Sequence, residues 1–279
     1  MLIDTHAHIN FNTYKDDADE VIRRCFDNNI WIINVGSQYE TSKRAVKMAE
    51  KYKKGVYATI GLHPLHLSTH LVKIKNDTEE IEIKTKEENF DYAKYRELAR
   101  SEKVVAIGEI GLDYYWKPKT KKKLELFKEK QKQALLEQLK LAKELNLPVI
   151  FHCRMAHADL IQFLKENEKL RPPVAVAHGF VGRTEELKEY LSFGYYIGFN
   201  GIIFKKIQGI DFEQNICQMS LEKILIETDC PYLTPPQKEG RNEPIYVKHI
   251  AQKIAKIKNI DFKKVAEITT QNARNLFKI

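Results

Sequence analysis

The segment LIDTHAHI, residues 2–9, is a short β-branched run with two histidines near its end. Strand side chains alternate with a period of two, so Asp4, His6 and His8 are expected on one face. Ile3, Thr5 and Ala7 are expected on the other, toward surrounding helices. Seven further runs of this kind follow, at residues 30–35, 56–61, 104–110, 148–152, 174–178, 195–199 and 224–228. Between them lie helical patterns, for example 18–28, 42–52, 124–145, 158–165 and 185–191, and the chain closes on helical stretches at 244–257 and 262–277. Strands alternating with helices imply crossover units and a parallel sheet. Eight such repeats in 279 residues predict an α/β fold, a single-domain (β/α)8 TIM barrel, which takes about 250 residues. A doubly wound dinucleotide-binding sheet fits less well, because no GxGxxG follows the first strand. A stretch crowded with Lys, Glu, Asp and Asn, at about 67–95, is expected to decorate the barrel as a solvated insertion.

Barrel enzymes place their chemistry at the carboxyl ends of the strands, and polar residues able to bind metal recur there. Alternation groups Glu109 with Val105 and Ile107, His152 with Ile150 and Arg154, His178 with Val176, and Asp229 with Leu225 and Glu227. A lone histidine on an apolar strand is usually a satisfied core residue. Four histidines and two carboxylates at strand tops need a shared partner, because buried unpaired charges are costly, and a cation supplies it. The expected ligands are therefore His6, His8, Glu109, His152, His178 and Asp229. Mixed imidazole and carboxylate donors suit Zn or Mn, and Mg less comfortably. Six ligands exceed what one catalytic ion holds while keeping a position open. Two divalent metal ions (Mg, Mn or Zn) are expected, bridged by Glu109, with a metal-activated water as nucleophile. Glu227, one step deeper than Asp229, reads as a hydrogen-bonding partner of a ligand.

The other residues have plainer readings. The formal charge of +8 allows phosphate-rich or acidic substrates. Cys25, Cys153, Cys217 and Cys230 are scattered without a CxxC pair, which points to free thiols and a cytoplasmic protein. No apolar run nears the roughly 18 residues of a membrane span, so no membrane partner is expected. His66 and His70 are expected at the surface, His157 and His249 in structural or exposed helix positions, and Cys153 and Cys230 in packing. Residues 114–123, from Tyr114 through Trp116 to Lys121, Lys122 and Lys123, leave the fourth strand on the active face. They read either as a soluble rim loop or as a grip on a nucleic-acid strand, with rings on bases and lysines on phosphates. Arg241 and Asn242, in the loop after the eighth strand, either hold a phosphate or fix that loop.

The sequence resembles the TatD-type deoxyribonucleases, within the amidohydrolase-like metal-dependent barrels. The resemblance rests on IDTHAHI (3–9), IGLHP (60–64), IGEIGLDYYW (107–116), LPVIFHCRMA (147–156), AHGF (177–180), ETDCPYLTP (227–235), RNEP (241–244) and QNARNLF (271–277), in the family's order along nearly the whole chain. It implies the same six metal ligands, with His63 near a bound phosphate and Arg154 close by. With Glu109 in place, no carboxylated lysine is expected. One departure is Gly179, where the family commonly has Cys. The resemblance implies a divalent-metal-dependent deoxyribonuclease acting on DNA ends, Glu109 and Asp229 serving catalysis and DNA or another nucleic acid the partner. Oligomeric state is left open, a monomer being compatible. A hydrolase of small amides or esters on the same scaffold is the alternative, since fold does not fix function. A barrel that only binds nucleic acid would need merely structural metals. Six ligands argue against it, since structural zinc sites are closed and four-coordinate.

Overall fold

Eight parallel strands lie in sequence order around one sheet: β1 Leu2–Ala7, β2 Ile30–Val35, β3 Val56–Ile60, β4 Val104–Asp113, β5 Val149–Arg154, β6 Ala175–Ala177, β7 Tyr196–Phe199 and β8 Ile224–Ile226. The computed structural model describes residues 1–67 and 87–279. The barrel closes where Ala7 bridges Cys230, with backbone bonds from His8 N to Cys230 O (2.9 Å) and from Asp229 N to His6 O (2.8 Å). Among the described residues the helices are α1 Ala18–Asp27, α2 Tyr39–Glu50, α3 Tyr92–Leu98, α4 Lys121–Leu145, α5 His157–Glu166, α6 Thr184–Ser192, α7 Phe212–Gln218, α8 Val247–Lys258 and α9 Phe262–Phe277. The fold is the (β/α)8 barrel expected from the alternation, in one domain.

Two apolar layers hold it. Ile3, Ile33, Val35, Val105, Ile150, Val176 and Leu225 fill the barrel interior, and Ala273, Leu276 and Phe277 of α9 pack on that cluster. Asn272 anchors the same helix, its Nδ2 donating to Leu221 O and Ile224 O at 2.8 Å each. The second layer, between sheet and helices, takes Leu2, Ile32, Ile60, Ile107, Ile110, Phe151, Ala177 and Ile226 together with the helices' inner faces. Burying each of the Val, Leu, Ile and Phe side chains contributes roughly 1.5–3 kcal/mol.

Strict alternation fails in two strands, both of which carry site residues. Ile3 packs in the interior rather than toward the helices, and the register with β2 shifts between Asp4 and Ala7. Ile107 lies in the outer layer while Val105 lies inside, so these two do not share a face. β4 carries register shifts against both neighbours: Val104 and Ala106 oppose the consecutive Ala58 and Thr59, and Ile107 and Ile110 oppose Val149 and Phe151. An extra residue of this kind bends a strand and re-aims a side chain, as happens beside active sites. In β5, β6 and β8 plain alternation holds.

The charged stretch at 67–95 falls largely on residues 68–86, outside the described residues. Its far end is not a solvated decoration. Glu88 N donates to His66 O (2.9 Å), the Glu88 carboxylate accepts from Tyr39 N at the start of α2 (3.1 Å), and Tyr95 is fully buried.

Candidate metal centre

The six expected ligands converge at the carboxyl end of the barrel. His6 comes from β1, His8 stands just beyond its end, and Glu109 comes from β4. His152 comes from β5, and His178 and Asp229 stand just beyond β6 and β8. The two oxygens of Glu109 face two groups of donors. Oε1 lies 3.7 Å from His6 Nε2 and 3.4 Å from His8 Nε2. Asp229 Oδ1 completes that group, 3.8 and 3.5 Å from the same nitrogens. Oε2 lies 3.5 Å from His152 Nδ1, 3.4 Å from His178 Nε2 and 3.9 Å from His63 Nε2. Donors about 2.0–2.1 Å from one ion at tetrahedral angles stand about 3.3–3.4 Å apart. The residues present therefore fit a divalent cation in both donor type and spacing.

Around the ligands stands a layer that holds the rings. Asp113, completely buried, has Oδ2 2.9 Å from His152 Nε2, which leaves Nδ1 aimed at Glu109. Glu227 Oε1 lies 3.1 Å from His178 Nδ1 and accepts from Gly179 N at 2.6 Å. Gly198 passes close beneath it, and a Cβ there would lie 2.4 Å from Glu227 Oε2. His8 Nδ1 lies 2.9 Å from Val35 O. Gly179 has a φ of 50°, a left-handed conformation in which a side chain is strained.

These contacts set the protonation. Burial pulls every imidazole in the cluster down, yet Glu227, aided by Asp229 and Glu109, holds His178 up at about 10. His8 also rises, because Asp229 and Glu109 outweigh its burial, and His152 rises through Asp113 and Glu109. Burial wins at His6 and His63, which lie below the ordinary value. Glu109 lies well below the carboxylate range despite its burial, under the influence of His63 and His6. The centre is thus a place where positive charge is favoured among anionic oxygens.

Not every expected residue joins this cluster. His63 stands at the edge of the cluster and also lines the cavity above it, about 910 Å³ in volume, together with Arg154, Lys128, Arg183 and Tyr115. Trp116 is half-buried, and Lys121, Lys122 and Lys123 are exposed in the first turn of α4; none of the four lines the cavity. The expected rim loop is shorter than residues 114–123, because β4 runs on to Asp113 and α4 begins at Lys121. Arg241 is paired with Asp17 and Glu243, at 2.5 and 3.2 Å, and Asn242 donates to Thr228 O (3.0 Å) and Tyr232 O (2.5 Å), so the structure has both fixing their loop. His66 is buried rather than superficial, and His70 lies outside the described residues. His157 is buried against the Tyr190 hydroxyl (3.0 Å) and Val181 O (3.1 Å). Asp113 escaped the sequence reading, which ended the fourth strand at residue 110. Carrying the alternation from Glu109 through Gly111 would have found it.

A family model described as TatD related DNase matches residues 3–278. The chain belongs to that family. It is 40% identical over 282 residues to the metal-dependent hydrolase YabD of Bacillus subtilis, each chain covered completely. It is 32% identical over 285 residues to the 3'-5' ssDNA/RNA exonuclease TatD of Escherichia coli, covering 100% of this chain and 99% of that one. Among solved structures, YjjV, a TatD homologue from Escherichia coli, superposes with a TM-score of 0.81 at 28% identity, covering 100% of this chain and 98% of that one. This TatD-family protein is a metal-dependent hydrolase. No helix among its described residues is long and apolar enough to cross a membrane.

Proposed function

We propose that this protein is a two-metal phosphodiesterase, a deoxyribonuclease that removes nucleotides from a strand end. The observation that carries the reading is the placement of Glu109, whose two carboxylate oxygens face two separate donor groups. Divalent ions held there would ease deprotonation of a water and offset the charge growing on the phosphate. The chain's own residues do the rest. Asp229, the more accessible of the two ligand carboxylates, faces the cavity and takes the proton of the attacking water. His63, kept neutral by burial and by the neighbouring His152, and Arg154 bind the phosphate, the guanidinium offering paired donors that match its oxygens. That a relative carries the name of a single-strand exonuclease supports the substrate class.

The test is turnover of end-labelled single-stranded DNA with Mg, Mn and Zn in turn. Mononucleotide products released from one end are expected. Glu109→Ala should lower the rate by on the order of a thousandfold, as loss of a main electrostatic stabiliser does. Turnover of small esters or amides without any of strands would instead establish the alternative hydrolase.

A further inference from the structure

Six large apolar side chains are exposed among the described residues: Met1, Tyr115, Leu126, Met155, Val174 and Phe262. Tyr115, 45% exposed, and Met155, 66% exposed, are the two of these that line the cavity over the metal centre. An aromatic ring left in water at the mouth of a polar site contributes little to folding, since it is burial that stabilises. The ring is nevertheless held in place. The Arg154 guanidinium lies 3.7 Å from its centroid, and Trp116 meets it edge-on at 4.9 Å. One carboxylate ties it to the centre: Asp113 Oδ1 accepts from Tyr115 N at 2.9 Å, and Oδ2 lies 2.9 Å from the metal-ligand candidate His152. Asp113 and Arg154 are also register partners between β4 and β5.

We infer that Tyr115 and the Arg154 guanidinium stacked on it form a nucleobase-stacking platform at a fixed offset from the scissile phosphate. The inference rests on the nuclease reading above and names the part of the substrate that the metals do not touch. Every base presents a flat π face, and stacking on an aromatic or guanidinium plane binds it without regard to sequence. The Arg154 and Arg183 side chains along the cavity bring positive charge to the phosphates on either side. The occupant is the base beside the bond being cut. Trp116, edge-on to Tyr115, serves as its support.

The experiment combines a change in the protein with a change in the strand. Tyr115→Ala should raise KM for a single-stranded oligonucleotide about tenfold, while Tyr115→Phe, which keeps the ring, stays near the parent. An abasic residue placed at successive positions from the cut end should weaken the parent by a similar factor at one position. At that position the abasic strand and Tyr115→Ala together should cause no further loss. A 2-aminopurine placed there should be quenched by the parent and by Tyr115→Phe but not by Tyr115→Ala. Metal content, measured on each variant, should match the parent. Additive losses at every position, or an unchanged KM in Tyr115→Ala, would overturn the platform while leaving the nuclease reading intact. A parent that neither binds nor degrades single strands would overturn both.

Discussion

Asp113 is fully buried, and its carboxylate meets two groups at once, the His152 ring and the Tyr115 amide. A carboxylate behind a metal-binding imidazole raises its basicity, and losing one weakens metal affinity by about 10–100-fold. Asp113→Asn keeps the size and an acceptor oxygen but removes the charge. It should release metal to a chelator at lower concentration than the parent, with an unchanged circular dichroism spectrum; parent-like retention would remove Asp113 from this role. His66 makes a second prediction. Burial lowers its pKa from the ordinary 6.5 to about 4. Below 6.5 the unfolded chain takes up a proton that the folded chain refuses, so stability present above 6.5 is lost as pH falls toward 4. By linkage the loss amounts to about 3 kcal/mol. In metal-free protein, the drop in urea midpoint between pH 7 and pH 4.5 should be smaller for His66→Gln than for the parent. Parallel drops would count against it.

At the level of elements, β4 decides most. Its two register shifts place Glu109 at the centre and let the strand continue to Asp113. Nothing in the run VVAIGEIG announces an extra residue, because a bulge is set by how neighbouring strands pair. Helix α4 raises a different question. Lys121, Lys122 and Lys123 crowd its first turn, which holds no acidic residue, and the side chain of Thr120 makes no capping bond. Cations at a helix N-terminus oppose its dipole by about 0.3–1 kcal/mol each. Changing all three to Gln should therefore raise the melting temperature slightly. The same change should raise KM for long single strands and flatten its salt dependence, each lost phosphate contact removing about 0.7 from the log–log slope. A slope equal to the parent's would return the lysines to a solvated helix end.

For the whole molecule, the centre joins residues from five strands, so metal binding is coupled to the integrity of the barrel. Chelation should abolish turnover and lower the melting temperature, and adding Mn or Mg should restore both. Ligand at a hundred times its dissociation constant stabilises by about 2.7 kcal/mol. Full activity after verified metal removal would sink the mechanism. The barrel was legible in the sequence because eight β-branched runs alternate with helical periods, and each is a local property. The site positions on β5 and just beyond β6 and β8 were legible for a related reason. Alternation in these strands, carried past their ends, points to His152, His178 and Glu227, and to Asp229 although that residue sits in a left-handed conformation with a φ of 57°. What local pattern cannot carry is the relation between distant segments. The bulges in β1 and β4, the burial of His66 beneath Glu88, and the ion pairs that occupy Arg241 each depend on which strand or loop lies alongside. So does the choice of Tyr115 over Trp116 at the cavity mouth, made by the packing of β4 against Arg154 of β5. Periodicity along the chain determined the scaffold and most of the ligand set, whereas contacts across it decided which neighbouring side chain lines the cavity.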